Sequence, residues 1–210
     1  MVQGTPLYPV ALAVAGMPCL VVGGGPVAAR KVAGLRSCGA EVTVVAPSVV
    51  ADLVAGPGLT VHLRPYRRGE ARDYRLVVTA TGVPEVDRAV ATDAEAGGVW
   101  VNSADDIGNC TFILPAVHRD GPVTVAVSTA GTSPALAGWL RDRVAAALAP
   151  TVGTLAQLLA EARAELQAGG ASTESVAWRP ILDGPVPALV ATGDTAGARR
   201  QLRAELGLAG

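Results

Sequence analysis

Apolar positions along the chain fall into short solid runs, and the stretches between two of them repeat their apolar residues at helical spacing. Cys19–Val22, Glu41–Pro47 and Leu76–Thr81 are nearly continuous apolar or β-branched runs, Leu59–Leu63 alternates, and Val99–Val101 is brief. Runs of this length predict strands, the solid ones covered on both faces as in a parallel sheet. A helix is predicted over Val27–Arg36, stopped at Cys38-Gly39-Ala40, and another over Val83–Gly97 with Val86, Val90 and Ala94 on one side. A short helix over Ser48–Val54, capped by Ser48 and ended by Gly56-Pro57-Gly58, is also expected. Ahead of the first strand, Val10-Ala11-Leu12 is expected to pack under it. Strand alternating with helix predicts an α/β, Rossmann-like domain with a parallel sheet.

The pattern changes at Ile113. Ile113–Val117 and Val123–Ser128 read as two strands joined across His118–Pro122, a hairpin rather than another βαβ step. A loop, Thr129–Pro134, leads into a helix over Ala135–Leu148. Pro150 is expected to break the chain, followed by a helix Val152–Gln167 with Leu155, Leu158, Leu159, Ala162 and Leu166 at helical spacing. A linker, Gly169–Ser172, and a terminal helix Thr195–Leu206 complete a small helical unit. The expected division is 1–112, the Rossmann-like domain; 113–149, a β-hairpin/helix dimerisation segment; and 150–210, a helical domain. A hydrophobic hairpin left at a surface calls for a partner, so a homodimer is expected.

Composition narrows the classes. The chain has 210 residues, half of them hydrophobic, and a formal charge of −1. No apolar run reaches the length of a membrane span, and the N-terminus lacks a charged-then-apolar leader, so a cytoplasmic protein without membrane contact is expected. No basic stripe suits nucleic acid. Cys19, Cys38 and Cys110 are far apart and lack C-x-x-C spacing, so they read as small buried hydrophobes in a reducing compartment, and neither they nor His62 and His118 form a metal site.

Chemistry concentrates at predicted strand ends. Gly23-Gly24-Gly25-Pro26-Val27-Ala28 makes G-x-G-x-x-A after the first strand. One glycine permits the tight turn, another lets backbone approach a pyrophosphate, and the small Ala28 allows close helix–strand packing. The helix then turns unpaired N–H groups and its positive dipole end toward phosphate, and Pro26 suits its first turn. The second strand ends on Ala46, Pro47 and Ser48, with no acidic residue for a ribose and no arginine for a 2′-phosphate, which favours NAD over NADP. Thr79, Ala80, Thr81 and Gly82 would border the same cofactor, or simply close a strand. Asn102–Phe112 carries Asp105 and Asp106. A carboxylate walled in by apolar groups has raised proton affinity and can exchange a proton near neutral pH; an Asx turn capped by Asp105 is the other reading.

These segments, read in order, resemble a known family. Val21–Lys31, Asn102–Asp105, Phe112-Ile113-Leu114-Pro115 and Val125–Ala137 together are similar to the dehydrogenase/chelatase module of siroheme synthases, over about Tyr8 to Leu166. The resemblance implies NAD-dependent oxidation of precorrin-2 to sirohydrochlorin in siroheme or cobalamin biosynthesis, in some members with ferrochelatase activity that takes Fe2+ or Co2+ as substrate. It implies that Asp105 is the catalytic aspartate and that Pro26, Val27, Pro47 and Ser48 meet NAD, beside the Gly23, Gly24 and Gly25 turn and the Thr79, Ala80 and Thr81 border read from the strand ends. The tetrapyrrole carboxylates need cationic and N–H donors, for which Asn102, Arg119, Ser128, Thr129, Gly131, Thr132, Ser133 and Arg141 are candidates. Thr129 stands where some relatives carry a phosphorylatable serine, and no methyltransferase part is expected within these residues, so methylation of uroporphyrinogen would fall to another protein. An NAD-sensing module without catalysis and a chelatase lacking an NAD site remain as alternatives.

Overall fold

In the computed structural model, which describes residues 6–148 and 151–208, the chain divides into two compact units. The first comprises the chain up to Leu114 together with Ala130–Ser133; the second comprises Pro115–Thr129 and everything from Pro134 onward.

In the first unit five parallel strands stand in the order β3-β2-β1-β4-β5. They are β1 (Pro18–Val22), β2 (Glu41–Ala46), β3 (Leu59–Leu63), β4 (Leu76–Thr79) and β5 (Trp100–Ser103). The strand order reverses between β1 and β4, the switch point at which open α/β sheets take their ligands. Successive side chains point to opposite faces, so β1 feeds two cores at once. Cys19 and Val21 join Val44, Val78 and residues of α1 (Pro26–Ser37); Leu20 and Val22 join Val77, Val101 and residues of α2 (Pro84–Ala96). This two-sided burial is the reason the strands read as solid apolar runs.

Four expectations are corrected. Residues 48–54 form bends and turns rather than a helix, because Val50 N–H bonds the Gly24 carbonyl at 2.8 Å and draws the segment across the glycine turn, with Leu53 buried. Val10, Ala11 and Leu12 are exposed instead of packing under β1; Val14 is the residue of that lead that joins the core. Cys38, at the end of α1, is exposed, whereas Cys19 and Cys110 are buried. β5 runs on through Asn102 and Ser103, while β4 stops at Thr79, leaving Ala80 and Thr81 in the loop.

In the second unit β6 (Ala116–Asp120) and β7 (Val123–Val127) pair antiparallel around Gly121-Pro122, so the hairpin starts later than Ile113 and Ser128 lies beyond it. α3 (Pro134–Ala147) packs on both hairpin strands. The expected break at Pro150 lies outside the described residues. α4 (Val152–Ala168) begins against the hairpin: Gly153 N–H donates to an Asp120 carboxylate oxygen at 2.8 Å. A separate core of Leu158, Ala162, Ile181, Val186, Val190, Ala198 and Leu202 joins α4 to α5 (Trp178–Asp183), α6 (Pro185–Ala191) and α7 (Thr195–Glu205).

Candidate functional site

The carboxyl ends of the strands are tied into one row by backbone bonds just past each strand. Gly23 N–H donates to Val45 O at 3.0 Å, Ala80 N–H to Val22 O at 2.8 Å, and Ala104 N–H to Thr79 O at 2.9 Å. The glycine turn, the end of β2, the 80–82 loop and the Asp105 loop therefore begin side by side along a single sheet edge.

The three glycines of the turn have different surroundings. Gly23 has φ +127°, and a Cβ there would meet the Ala80 carbonyl at 2.2 Å; on Gly24 it would meet the Ser48 carbonyl at 1.9 Å. Both are glycine because neighbouring backbone passes directly over them. At Gly25 a Cβ would meet nothing within 4 Å. Gly25 is also the N-cap of α1, with no side-chain cap bond and no acidic residue in the first turn. A helix start with open space beside it and no side chain of its own to satisfy its N–H groups fits a phosphate. Pro26 occupies the first helical turn, Val27 is half-buried, and Pro47 and Ser48 are exposed. The arginine at the end of the neighbouring strand, Arg64, is held by both oxygens of Glu70, at 3.1 and 2.7 Å.

The 79–82 loop is shaped by a residue that the sequence patterns did not single out. Asp87 on α2 is 4 % exposed, and one of its oxygens accepts from Thr79 Oγ1, from Thr81 Oγ1 at 2.7 Å and from Thr81 N–H at 3.3 Å. The signal was a carboxylate three residues into an otherwise plain amphipathic helix, six residues after Thr81. Beside Thr79 in the register, Ser103 is buried, and its hydroxyl has no partner among the described residues.

Asp105 and Asp106 follow β5 and behave differently. Asp106, not Asp105, forms the cap: its carboxylate accepts from Gly108 N–H at 2.8 Å. Asp105 is exposed in this single chain and lacks the expected apolar wall. Asn102 is 6 % exposed, and its amide donates to Phe112 O at 3.0 Å and toward Cys110 Sγ at 3.6 Å, so its donor is spent within the loop. Burial pushes the Cys110 thiol up from its ordinary value, against a smaller opposing pull from the Ser103 N–H, and it stays protonated. Burial and then Arg30 push Lys31, the chain's single lysine, down.

Ala130–Ser133 also belongs to this unit, and a Cβ on Gly131 would meet Ile107 Cδ1 at 2.2 Å, so this loop lies against the turn that follows Asp106. Ala130 adopts φ +51°, the one positive φ outside glycine among the described residues, a strained backbone of the kind that marks functional loops. Gly131 and Thr132 are exposed and Ser133 half-buried. The remaining candidates, Arg119, Ser128, Thr129 and Arg141, are in the second unit, where the Arg141 guanidinium pairs with Asp142 at 2.7 Å.

The sequence and the fold are similar to those of known proteins. The family model described as "Putative NAD(P)-binding" matches residues 10–116, just over half of the chain, and one described as "Sirohaem biosynthesis protein central" matches residues 120–147. Siroheme synthase of Methylococcus capsulatus is 38 % identical over 199 residues, covering 92 % of this chain and 42 % of that protein. Siroheme synthase of Nitrosococcus oceani is 37 % identical over 203 residues, covering 94 % and 43 %. The chain thus spans less than half the length of these curated relatives. The solved structure of SirC, precorrin-2 dehydrogenase, is similar in fold, with a TM-score of 0.74 at 24 % identity over 94 % of this chain and 99 % of that one.

Proposed function

Because the chain belongs to the putative NAD(P)-binding family and is similar to siroheme synthase over 92 % of its length, we propose that it oxidises precorrin-2 to sirohydrochlorin with NAD. The observation that carries this reading is the row of backbone bonds that brings the glycine turn, the 80–82 loop and the Asp105 loop to one sheet edge. The oxidation removes two hydrogens from the macrocycle, one as hydride and one as a proton. When bound, NAD supplies the hydride acceptor.

The chain's own residues bind, orient and move the proton. Gly25 and the first N–H groups of α1 receive the pyrophosphate, with Gly23, Gly24, Pro26 and Val27 forming the turn. Ser48 and the backbone around Pro47 meet the ribose; the lack of an arginine there and the commitment of Arg64 to Glu70 support NAD over NADP. Thr79, through Asp87, and Ala80 and Thr81 shape the neighbouring border. Asp105 accepts the proton as an exposed carboxylate that substrate itself would cover. Thr132, Ser133 and the backbone of Gly131 donate to substrate carboxylates; Ser128, Thr129, Arg119 and Arg141, which belong to the second unit, are kept as separate candidates for the same carboxylates.

Three further assignments rest on this reading. The 113–149 segment is the dimerisation element, supported by the exposure of Leu136, Trp139 and Val144 on α3. The protein works in the cytoplasm, a reducing compartment that suits three free cysteines. Where the protein also inserts metal, Fe2+ or Co2+ arrives as substrate.

Mixing the protein with precorrin-2 and either NAD or NADP, and following sirohydrochlorin absorbance, tests the proposal. Turnover with NAD is expected, falling by about 10²–10⁴-fold in Asp105→Ala if that carboxylate is the base. NAD binding without turnover would instead indicate a sensing module. Metal uptake by supplied sirohydrochlorin without NAD binding would indicate a chelatase alone.

A further inference from the structure

Asp105 has no side-chain hydrogen bond among the described residues, so its place depends on the backbone on either side of it. That backbone is gathered at one atom. Cys110 Sγ accepts from Ser103 N–H at 3.2 Å and lies 3.4 Å from Ser103 O and 3.5 Å from Asp106 O, either of which can take the thiol proton. The sulfur therefore bridges residues 103 and 106, the two ends of the Ala104-Asp105 step. Asn102 holds the sulfur in turn, donating toward it at 3.6 Å and to Phe112 O at 3.0 Å. Thr111 closes the base of the loop, accepting from Val101 N–H at 2.8 Å through its hydroxyl and donating its own N–H to Val101 O at 2.8 Å. Cys110 and Asn102 are both buried, so water does not compete for these bonds.

We propose that Cys110, supported by Asn102, is a positioning residue for Asp105, stapling the Ser103–Asp106 backbone through a thiol that donates and accepts together. This rests on the reading of Asp105 as the proton acceptor, and it moves Asn102 from substrate contact to loop support. A retained proton is essential, because a thiolate has no hydrogen to give to either carbonyl. A misplacement of about 1 Å at a reacting group can cost about 10²-fold in rate.

The test is a double-mutant cycle on the full chain with precorrin-2 and NAD. Cys110→Ala is expected to lower kcat by about 10–100-fold, with KM for precorrin-2 and the affinity for NAD changed by less than threefold. Cys110→Ser, which keeps a donor and an acceptor in nearly the same volume, is expected to recover part of that loss and serves alone if Cys110→Ala does not fold. In an Asp105→Ala background, adding Cys110→Ala or Cys110→Ser is expected to cost nothing further, because the group being positioned is gone. Full activity of Cys110→Ala, a serine variant no better than alanine, or losses that multiply with Asp105→Ala would each overturn the positioning role. Asp105→Ala at parental rate would instead remove the reading of Asp105, and is read separately from the cysteine variants.

Discussion

Three adjacent glycines in one turn have two kinds of surroundings, and a single methyl group distinguishes them. Gly24→Ala would drive a Cβ to 1.9 Å from the Ser48 carbonyl, so backbone must move, at about 1–3 kcal/mol of stability. Gly25→Ala meets nothing within 4 Å and keeps an ordinary φ of −83°, so thermal unfolding should be unchanged, while the proposed phosphate position at this helix start predicts that the added methyl group lowers NAD affinity. Thermal melts with and without NAD separate the two: the first variant loses Tm in both conditions, the second loses only the shift that NAD produces. The glycine fingerprint was readable from spacing alone. Which glycine is covered by backbone and which has open space beside it was not, since that depends on Ser48 and Ala80 arriving from other strands.

At the scale of elements, buried carboxylates on α2 tie the helix to what precedes it. Asp93 accepts from Tyr66 hydroxyl at 3.0 Å and Gly69 N–H at 2.8 Å, and is 5 % exposed. Burial alone would raise its carboxyl, but these two donors with Arg68 and Arg72 outweigh it and hold the group below its ordinary value. A depressed carboxyl contributes stability that is present above its unfolded value, near pH 4, and lost as pH falls through the folded value. Tyr66→Phe is therefore expected to cost about 1 kcal/mol at pH 7, and urea melts should show its deficit against the parent narrowing on acidification below about pH 4. A deficit that stays constant down to pH 2.5 would mean that packing, not the hydroxyl bond, made the difference. Helix periodicity marked Val86, Val90 and Ala94 as the inward face but was silent on Asp87 and Asp93, because an acidic residue in an amphipathic helix ordinarily faces water.

For the whole molecule, the exposed apolar surface of α3 is the feature a single chain leaves unexplained. Trp139 is 56 % exposed and Leu136 47 %, with Arg143 over the indole at 5.3 Å. If this surface joins two copies, Trp139→Glu should halve the mass in analytical ultracentrifugation while leaving the circular dichroism of the fold intact, and a parent that sediments as a monomer at micromolar concentration would remove the dimer assignment.

The order of elements, the parallel sheet, the glycine turn and the shift to a hairpin near Ile113 were determined by the sequence, because each follows from local periodicity, β-branched runs or glycine spacing. Only the tertiary structure decided that residues 48–54 cross the glycine turn instead of coiling, that Cys38 faces solvent, that Asp106 rather than Asp105 is the cap, and that Asp87 and Cys110 shape the loops at the strand ends. Some rest on a bond between segments well apart along the chain, as Val50 N–H to Gly24 O, and others on side-chain bonds across a single loop, as Thr81 to Asp87 and Ser103 N–H to Cys110 Sγ. A hydrogen bond between distant residues leaves no periodic trace in either one, so it exists only once the sheet has set their strands side by side.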